Sequence, residues 1–302
     1  MIADISRLKG SIVPLVTPFR DGEVDYDAYA ELVEFQVANG SHGVLVNGTT
    51  AEPSTLTVRE RNRLVEIAVA TAAGRVAVVA ATGSQSLAET KSLTSHAART
   101  GVDALLIVTP YYIRPPQRGL IEYYLEVTKD HDLPWMIYHI PGRTAVQVEL
   151  TTIADLSRRS PRVLGMKQAV NDLGFVSACL DIFPSFRVFV GLEELSFPML
   201  AIGAVGLMNA VGNLHPRILA DLCAAVWAGD LHRGRAIHQR LFELNTAIFF
   251  DTNPIPLKYM MKRLGLLERN EHRLPMVPAT PELEKRLDAI LERSGLFSTV
   301  SA

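Results

Sequence analysis

The feature that most constrains this chain is an alternation repeated eight times. Short β-rich apolar runs are each followed by a longer segment of helical period. The runs are SIVPLVTPF (11–19), HGVLVNGTT (42–50), RVAVVAATG (75–83), DALLIVTPYY (103–112), PWMIYHIP (134–141), RVLGMKQA (162–169), FRVFVGL (186–192) and AVGLMNAVGN (204–213). The spacing predicts helices over 25–40, 57–74, 86–101, 119–131, 149–159, 171–183, 194–203 and 216–229. In the first of these, Tyr29, Leu32, Val33 and Val37 share one face and Gly40 marks the stop; Thr57 suits the N-cap of the second.

Eight β-then-α units without an inserted strand pair predict an α/β fold, a closed (β/α)8 TIM barrel. An open doubly wound sheet is the alternative. The count of eight and the lack of a GxGxxG after the first strand both weigh against it. The strands are nearly continuous apolar runs, as expected when helices cover one face and a packed interior the other. Three more helical patterns follow, over 230–250, 253–266 and 280–295, with the prolines of NPIP suited to a first helical turn. The expected division is a barrel domain over 1–229 and a C-terminal helical extension over 230–302.

Bulk properties exclude some classes. A net charge of −2 argues against a nucleic-acid binder or an anionic-membrane binder, since both usually carry a basic excess. No apolar run approaches the roughly 20 residues of a membrane span, and Asp4, Arg7 and Lys9 near the start do not suit a signal peptide. Cys179 and Cys223 lie in apolar helical patterns with no CxxC pair, which predicts core thiols and a reducing cytoplasm. The eight histidines form no HxH or HExxH, and no Walker A motif occurs. A reaction free of metal and nucleotide is the expectation.

A barrel of this kind carries its active site at the C-terminal ends of its strands. Those ends bring Thr49, Thr50 and Glu52 from the second strand, and Thr109, Tyr111 and Tyr112 from the fourth. The fifth supplies Tyr138 and His139 with Arg143 beyond, the sixth Lys167, the seventh Gly191 and Glu193, and the eighth Met208 and Asn209. Desolvation at an apolar rim disfavours an ammonium, and a neutral lysine amine can attack a ketone to form a Schiff base. Tyr138 could move the protons through the hydroxyls of Thr49 and Tyr112. Arg143 offers a forked donor to a carboxylate, and backbone N–H groups around Thr49 and Thr50 could bind the same group. The set suits an α-keto acid such as pyruvate. Other readings stay open residue by residue. Lys167 could snorkel to water, the tyrosines could pack or form an interface, Arg143 could pair on the surface, and Glu52 could face a helix N-terminus.

At these residues the chain resembles the pyruvate-dependent class I aldolases typified by dihydrodipicolinate synthase and N-acetylneuraminate lyase. The motifs run the length of the chain: GSIVPLVTPF, NGTTAEPSTLT, TPYYIRPPQRGL, IYHIPGRT, GMKQAVNDL, NPIPLKYMMKRLGL and HRLPMVPAT. The resemblance implies that Lys167 forms the Schiff base and that Tyr138 donates and accepts protons. Thr49 and Tyr112 would complete the relay, with Tyr112 supplied across a subunit interface. Thr50 and Arg143 would contact carboxylates, Arg143 that of a second substrate, and the Met208 backbone would lie beside bound pyruvate. It implies no cofactor beyond the covalent Lys–pyruvate imine, small-molecule substrates (pyruvate and an aldehyde or 2-oxo acid), and a homotetramer built as a dimer of dimers.

Three positions depart from the family pattern. GTTAE places Ala51 where glycine is usual, YHIP places His139 beside the tyrosine, and GMKQA replaces a glutamate by Gln168. The chemistry at Lys167 is untouched by them; the second-substrate pocket is where they would act. Val58 and Arg61 stand where some bacterial members carry histidines of a feedback-lysine site, while Glu89 is kept, so lysine inhibition is not expected. The first reading is condensation of pyruvate with aspartate semialdehyde. A paralogous aldolase or dehydratase with the same imine chemistry is the alternative. A non-catalytic barrel scaffold and a metal-dependent aldolase are the readings from other classes.

Overall fold

The computed structural model describes residues 5–296. Eight parallel strands close into a barrel: β1 (Gly10–Pro14), β2 (Gly43–Val46), β3 (Ala77–Ala81), β4 (Ala104–Val108), β5 (Trp135–His139), β6 (Val163–Gln168), β7 (Arg187–Val190) and β8 (Gly206–Leu207). Neighbours follow chain order, and β8 closes on β1 through Gly10↔Gly206 and Ser11↔Leu207. The outer ring is α1 (Tyr26–Ala38), α2 (Val58–Ala72), α3 (Leu87–Thr100), α4 (Gln117–Thr128), α5 (Leu150–Arg159), α6 (Leu173–Ile182), α7 (Ser196–Ala201) and α8 (Pro216–Trp227). The (β/α)8 expectation is met.

Local chemistry fixes the element ends. The Asp25 side chain accepts from the Ala28 N–H at 3.0 Å and starts α1. Thr57 caps α2 as expected, in a full capping box: its hydroxyl accepts from the Glu60 N–H at 3.2 Å, and the Glu60 carboxylate accepts from the Thr57 N–H at 2.8 Å.

The expectation of no inserted strand pair is corrected. An antiparallel hairpin, Phe19–Arg20 with Glu23–Val24, stands between β1 and α1. Its turn needs two left-handed residues, which Asp21 (φ 53°) and Gly22 (φ 83°) supply. Asp-Gly is a strong two-residue hairpin signal, and it was available in the sequence.

Alternate strand residues feed two cores. Ile12, Leu45, Val79, Leu106, Met136, Phe189 and Met208 fill the barrel interior. Val13, Val44, Val78, Leu105, Ile137 and Val188 face the helices. Strict alternation breaks once, and the break matters. Trp135 pairs with Val163 but Met136 pairs with Gly165, so Leu164 is an extra residue in β6. Leu164 packs in the interior, whereas Met166, two residues on, packs among the helices. The shifted phase sets Lys167 beside the inward Tyr138. Gly165 is required at this point because a Cβ there would lie 1.8 Å from the Arg187 carbonyl oxygen.

After the ring come α9 (Leu231–Ala247), α10 (Ile255–Arg263) and α11 (Pro281–Ser294). Leu241, Leu244, Met260, Met261, Leu287 and Leu291 join the same outer core as Val33, Leu64 and Leu219. Each such fully buried side chain contributes roughly 1.5–3 kcal/mol relative to exposure. Among the described residues, no helix is long and apolar enough to cross a membrane.

Candidate active site

Strand register brings the central pair together. Tyr138 on β5 lies opposite Lys167 on β6. Lys167 Nζ stands 4.6 Å from the centre of the Tyr138 ring, and the two residues are only 4 % and 5 % exposed. Room for the lysine comes from Gly191, just past β7, where a Cβ would stand 2.9 Å from Lys167 Cε. The Tyr138 hydroxyl shares a 3.2 Å hydrogen bond with Thr49 Oγ1.

Thr49 belongs to a tight turn, Thr49–Ala51, that follows β2. Next to it, the buried Thr50 accepts from Asn253 Nδ2 at 2.9 Å. Met208 is buried in the same interior as Tyr138, and its N–H donates to the Val190 carbonyl at 2.8 Å. Lys167, Tyr138, Thr49, Thr50 and Met208 thus gather at one end of the barrel.

Two expected residues are not gathered there by this chain alone. Arg143 is exposed on the one-turn helix Pro141–Thr144 beyond β5. Tyr112 is 87 % exposed, beside the exposed Ile113, and holds a left-handed φ of 73°. An L-residue in that region costs free energy, so the loop after β4 holds its aromatic side chain outward against a local preference.

The departures at His139 and Gln168 pair with each other. Both lie one residue beyond the inward pair and so face the helices; His139 contacts the ring of Phe175 on α6 at 5.6 Å between centroids. His139 Nδ1 shares a 2.7 Å hydrogen bond with Gln168 Oε1, while Nε2 lies 2.9 Å from Gln147 Oε1 and 3.3 Å from the Val148 N. Burial lowers the His139 pKa, against the opposing pull of its contacts with Gln168 and Gln147. Neither side chain faces the barrel interior. Ala51, the third departure, is buried in the threonine turn. Arg61 is buried, with Nη1 3.4 Å from Glu89 Oε1.

Sequence reasoning passed over Asn253, and it noted Glu193 without assigning it a role. Glu193 follows β7 and is fully shielded; its Oε1 accepts from the Ala210 N–H at 2.5 Å, and Oε2 has no partner. Burial pushes this carboxyl up to about 7, against opposing pulls from the Ala210 N–H and the Lys167 charge. The bound proton favours the folded state, so this stabilisation is complete below about pH 4.5 and is lost as pH rises through about 7. Such a shift corresponds to on the order of 3 kcal/mol. Glu193→Gln should therefore flatten the fall in urea midpoint between pH 5 and 8. Parallel curves for the two proteins would show that Glu193 ionises normally.

The thiols offer no alternative nucleophile: Cys179 and Cys223 are buried, and burial pushes them up to about 11 and about 12. Among the described residues, no group of three or more His, Cys, Asp or Glu is placed to hold a metal ion.

The family model for the dihydrodipicolinate synthetase family matches residues 7–294. A 4-hydroxy-tetrahydrodipicolinate synthase of Thermus thermophilus is 46 % identical over 96 % of this chain and 97 % of its own length. The crystal structure of dihydrodipicolinate synthase from Aquifex aeolicus superposes with a TM-score of 0.93 at 40 % identity, covering 95 % of this chain and 98 % of that one. A structure described as the first monomeric dihydrodipicolinate synthase variant superposes with a TM-score of 0.94 at 33 % identity, covering 98 % of this chain and 100 % of that one. By its sequence, its fold and the residues at its barrel mouth, the chain belongs to the dihydrodipicolinate synthetase family.

Proposed function

We propose that this protein is a Schiff-base-forming lyase that condenses pyruvate with aspartate semialdehyde, the 4-hydroxy-tetrahydrodipicolinate synthase reaction of lysine and diaminopimelate biosynthesis. The observation that carries the reading is the buried Lys167 amine against Tyr138, whose hydroxyl bonds Thr49.

The steps balance without a cofactor. The free amine of Lys167 attacks the ketone carbon of pyruvate and gives a carbinolamine. Tyr138 delivers a proton to the departing oxygen, water leaves, and a protonated imine remains. The imine withdraws electrons, the methyl carbon loses a proton, and the resulting enamine attacks the aldehyde carbon. The new carbon–carbon bond joins the two substrates and the aldehyde oxygen takes up a proton; the amino group of the semialdehyde then attacks the imine carbon, closes the ring and expels the Lys167 amine, which is free again. Thr49 and Tyr112 relay the protons; Thr50 and the Met208 backbone orient pyruvate; Arg143 receives the carboxylate of the second substrate.

Oligomerisation belongs to this reading. The outward Tyr112 and Ile113 support a homotetramer, a dimer of dimers, in which Tyr112 completes the relay of a partner subunit. Two buried free thiols suit a reducing cytoplasm. The Arg61–Glu89 contact supports an enzyme that lysine does not inhibit. The decisive assay is pyruvate consumption by the purified protein. Consumption should depend on aspartate semialdehyde; consumption only with another aldehyde or a sugar acid would move the protein to a paralogous reaction of the same imine chemistry.

A further inference from the structure

Behind the threonine turn lies a buried ionic cluster that the mechanism above does not use. Lys258, on α10, is wholly inaccessible. Its Nζ donates to Glu52 Oε1 at 3.0 Å, to the Thr17 carbonyl at 3.0 Å and to the Glu271 carbonyl, and it lies 4.5 Å from the centre of the Phe19 ring. The other carboxylate oxygen, Glu52 Oε2, accepts from His272 Nδ1 at 3.1 Å, and the His272 side chain is fully buried. Four stretches of chain, distant in sequence, meet at these three side chains.

Glu52 closes the turn that carries Thr49 and Thr50. Its N–H donates to the Thr49 carbonyl at 3.1 Å, and its backbone is left-handed at φ 56° and ψ 45°. A residue that is not glycine holds that conformation only where its surroundings over-determine it. Here they do, because the carboxylate is gripped from both sides. Thr17 adds a third hold, its hydroxyl donating to the Ala51 carbonyl at 2.8 Å. A buried ion pair is a poor source of net stability, since desolvation offsets most of its attraction. It does fix direction, because each partner has few other places to point.

We propose that Lys258 and His272 act as positioning residues for the reaction, clamping Glu52 so that the Thr49 hydroxyl stays within reach of Tyr138. They touch neither substrate nor Lys167. Their effect passes through the turn, and misplacing a catalytic group by about 1 Å can cost 10²-fold. The proposal rests on the Schiff-base reading, and its test does not need the second substrate. The readout is the rate at which pyruvate forms the borohydride-trappable imine.

Glu52→Gln should slow imine formation about tenfold to a hundredfold. In a Thr49→Val background, where the relay hydroxyl is gone, the same change should add little. A cluster that only supports the fold would slow both backgrounds equally, and that additivity would overturn the proposal. Because Glu52→Gln leaves Lys258 buried beside a neutral partner, the cycle is repeated with His272→Ala, from the edge of the cluster. There the loss should be several-fold, and His272→Gln, which restores an N–H donor, should recover most of it. No slowing in either Glu52→Gln or His272→Ala would also refute the clamp. If unmodified protein forms no trappable imine at all, the Schiff-base reading fails instead.

Discussion

Lys167→Ala should abolish condensation and the covalent capture of pyruvate together. Borohydride added with pyruvate is expected to increase the mass of the unmodified chain by one reduced pyruvyl unit, and to leave the variant unchanged. Turnover should fall by at least about four orders of magnitude, as when other covalent nucleophiles are removed. The loss would not reflect unfolding. Lys167 is a single inward side chain at the open end of the barrel interior, and among the described residues its Nζ has no hydrogen-bond partner, so far-UV circular dichroism should be preserved. Capture of pyruvate that persists in Lys167→Ala would place the nucleophile elsewhere. Lys258, the other buried lysine, is the residue to examine then, although its Nζ already donates to three oxygens.

Tyr138→Phe separates proton transfer from binding. The ring that faces Lys167 Nζ at 4.6 Å is kept, while the hydroxyl and its 3.2 Å bond to Thr49 are lost. Turnover should drop by about 10²–10⁴-fold, the usual contribution of a positioned acid–base group. The variant should still form the trapped pyruvyl adduct, only more slowly, with little change in the affinity for pyruvate. A Tyr138→Phe enzyme that turns over at the original rate would remove the tyrosine from the relay and leave water as the proton carrier.

The repeating apolar pattern made the barrel legible, because eight strand-and-helix alternations have few compact solutions. Lys167, Tyr138 and Thr49 could be grouped for a related reason: in a closed parallel barrel all strands end on the same side. What stayed hidden was mostly non-local. Gly165 inside an apolar run is a local sign of a bulge or a close backbone approach, but it does not show that Leu164 is the extra residue, nor that the phase shift aims Lys167 inward. Lys258 reads as one cation between Leu257 and Tyr259, a pattern that also fits a half-exposed helix. Only a carboxylate 206 positions away explains its burial. Asn253 reached Thr50 across a similar separation. Asp21-Gly22, by contrast, was readable and was passed over, since the strands it joins are only two residues each. The departures at His139 and Gln168 looked like changes in the pocket until their positions, each one residue beyond the inward Tyr138 and Lys167, placed both side chains on the outer face.

The clamp around Glu52 has a consequence for synthesis. A nascent chain that has emerged to Gly229 already contains every strand, Lys167 and Tyr138. It does not yet contain Asn253, Lys258 or His272, the groups that hold the threonine turn. The full set of contacts on the threonine turn therefore waits for residues 253–272. On the Schiff-base reading, a barrel that has emerged only this far would form the pyruvate imine slowly, because Lys167 and Tyr138 are present while three groups that hold the threonine turn are not.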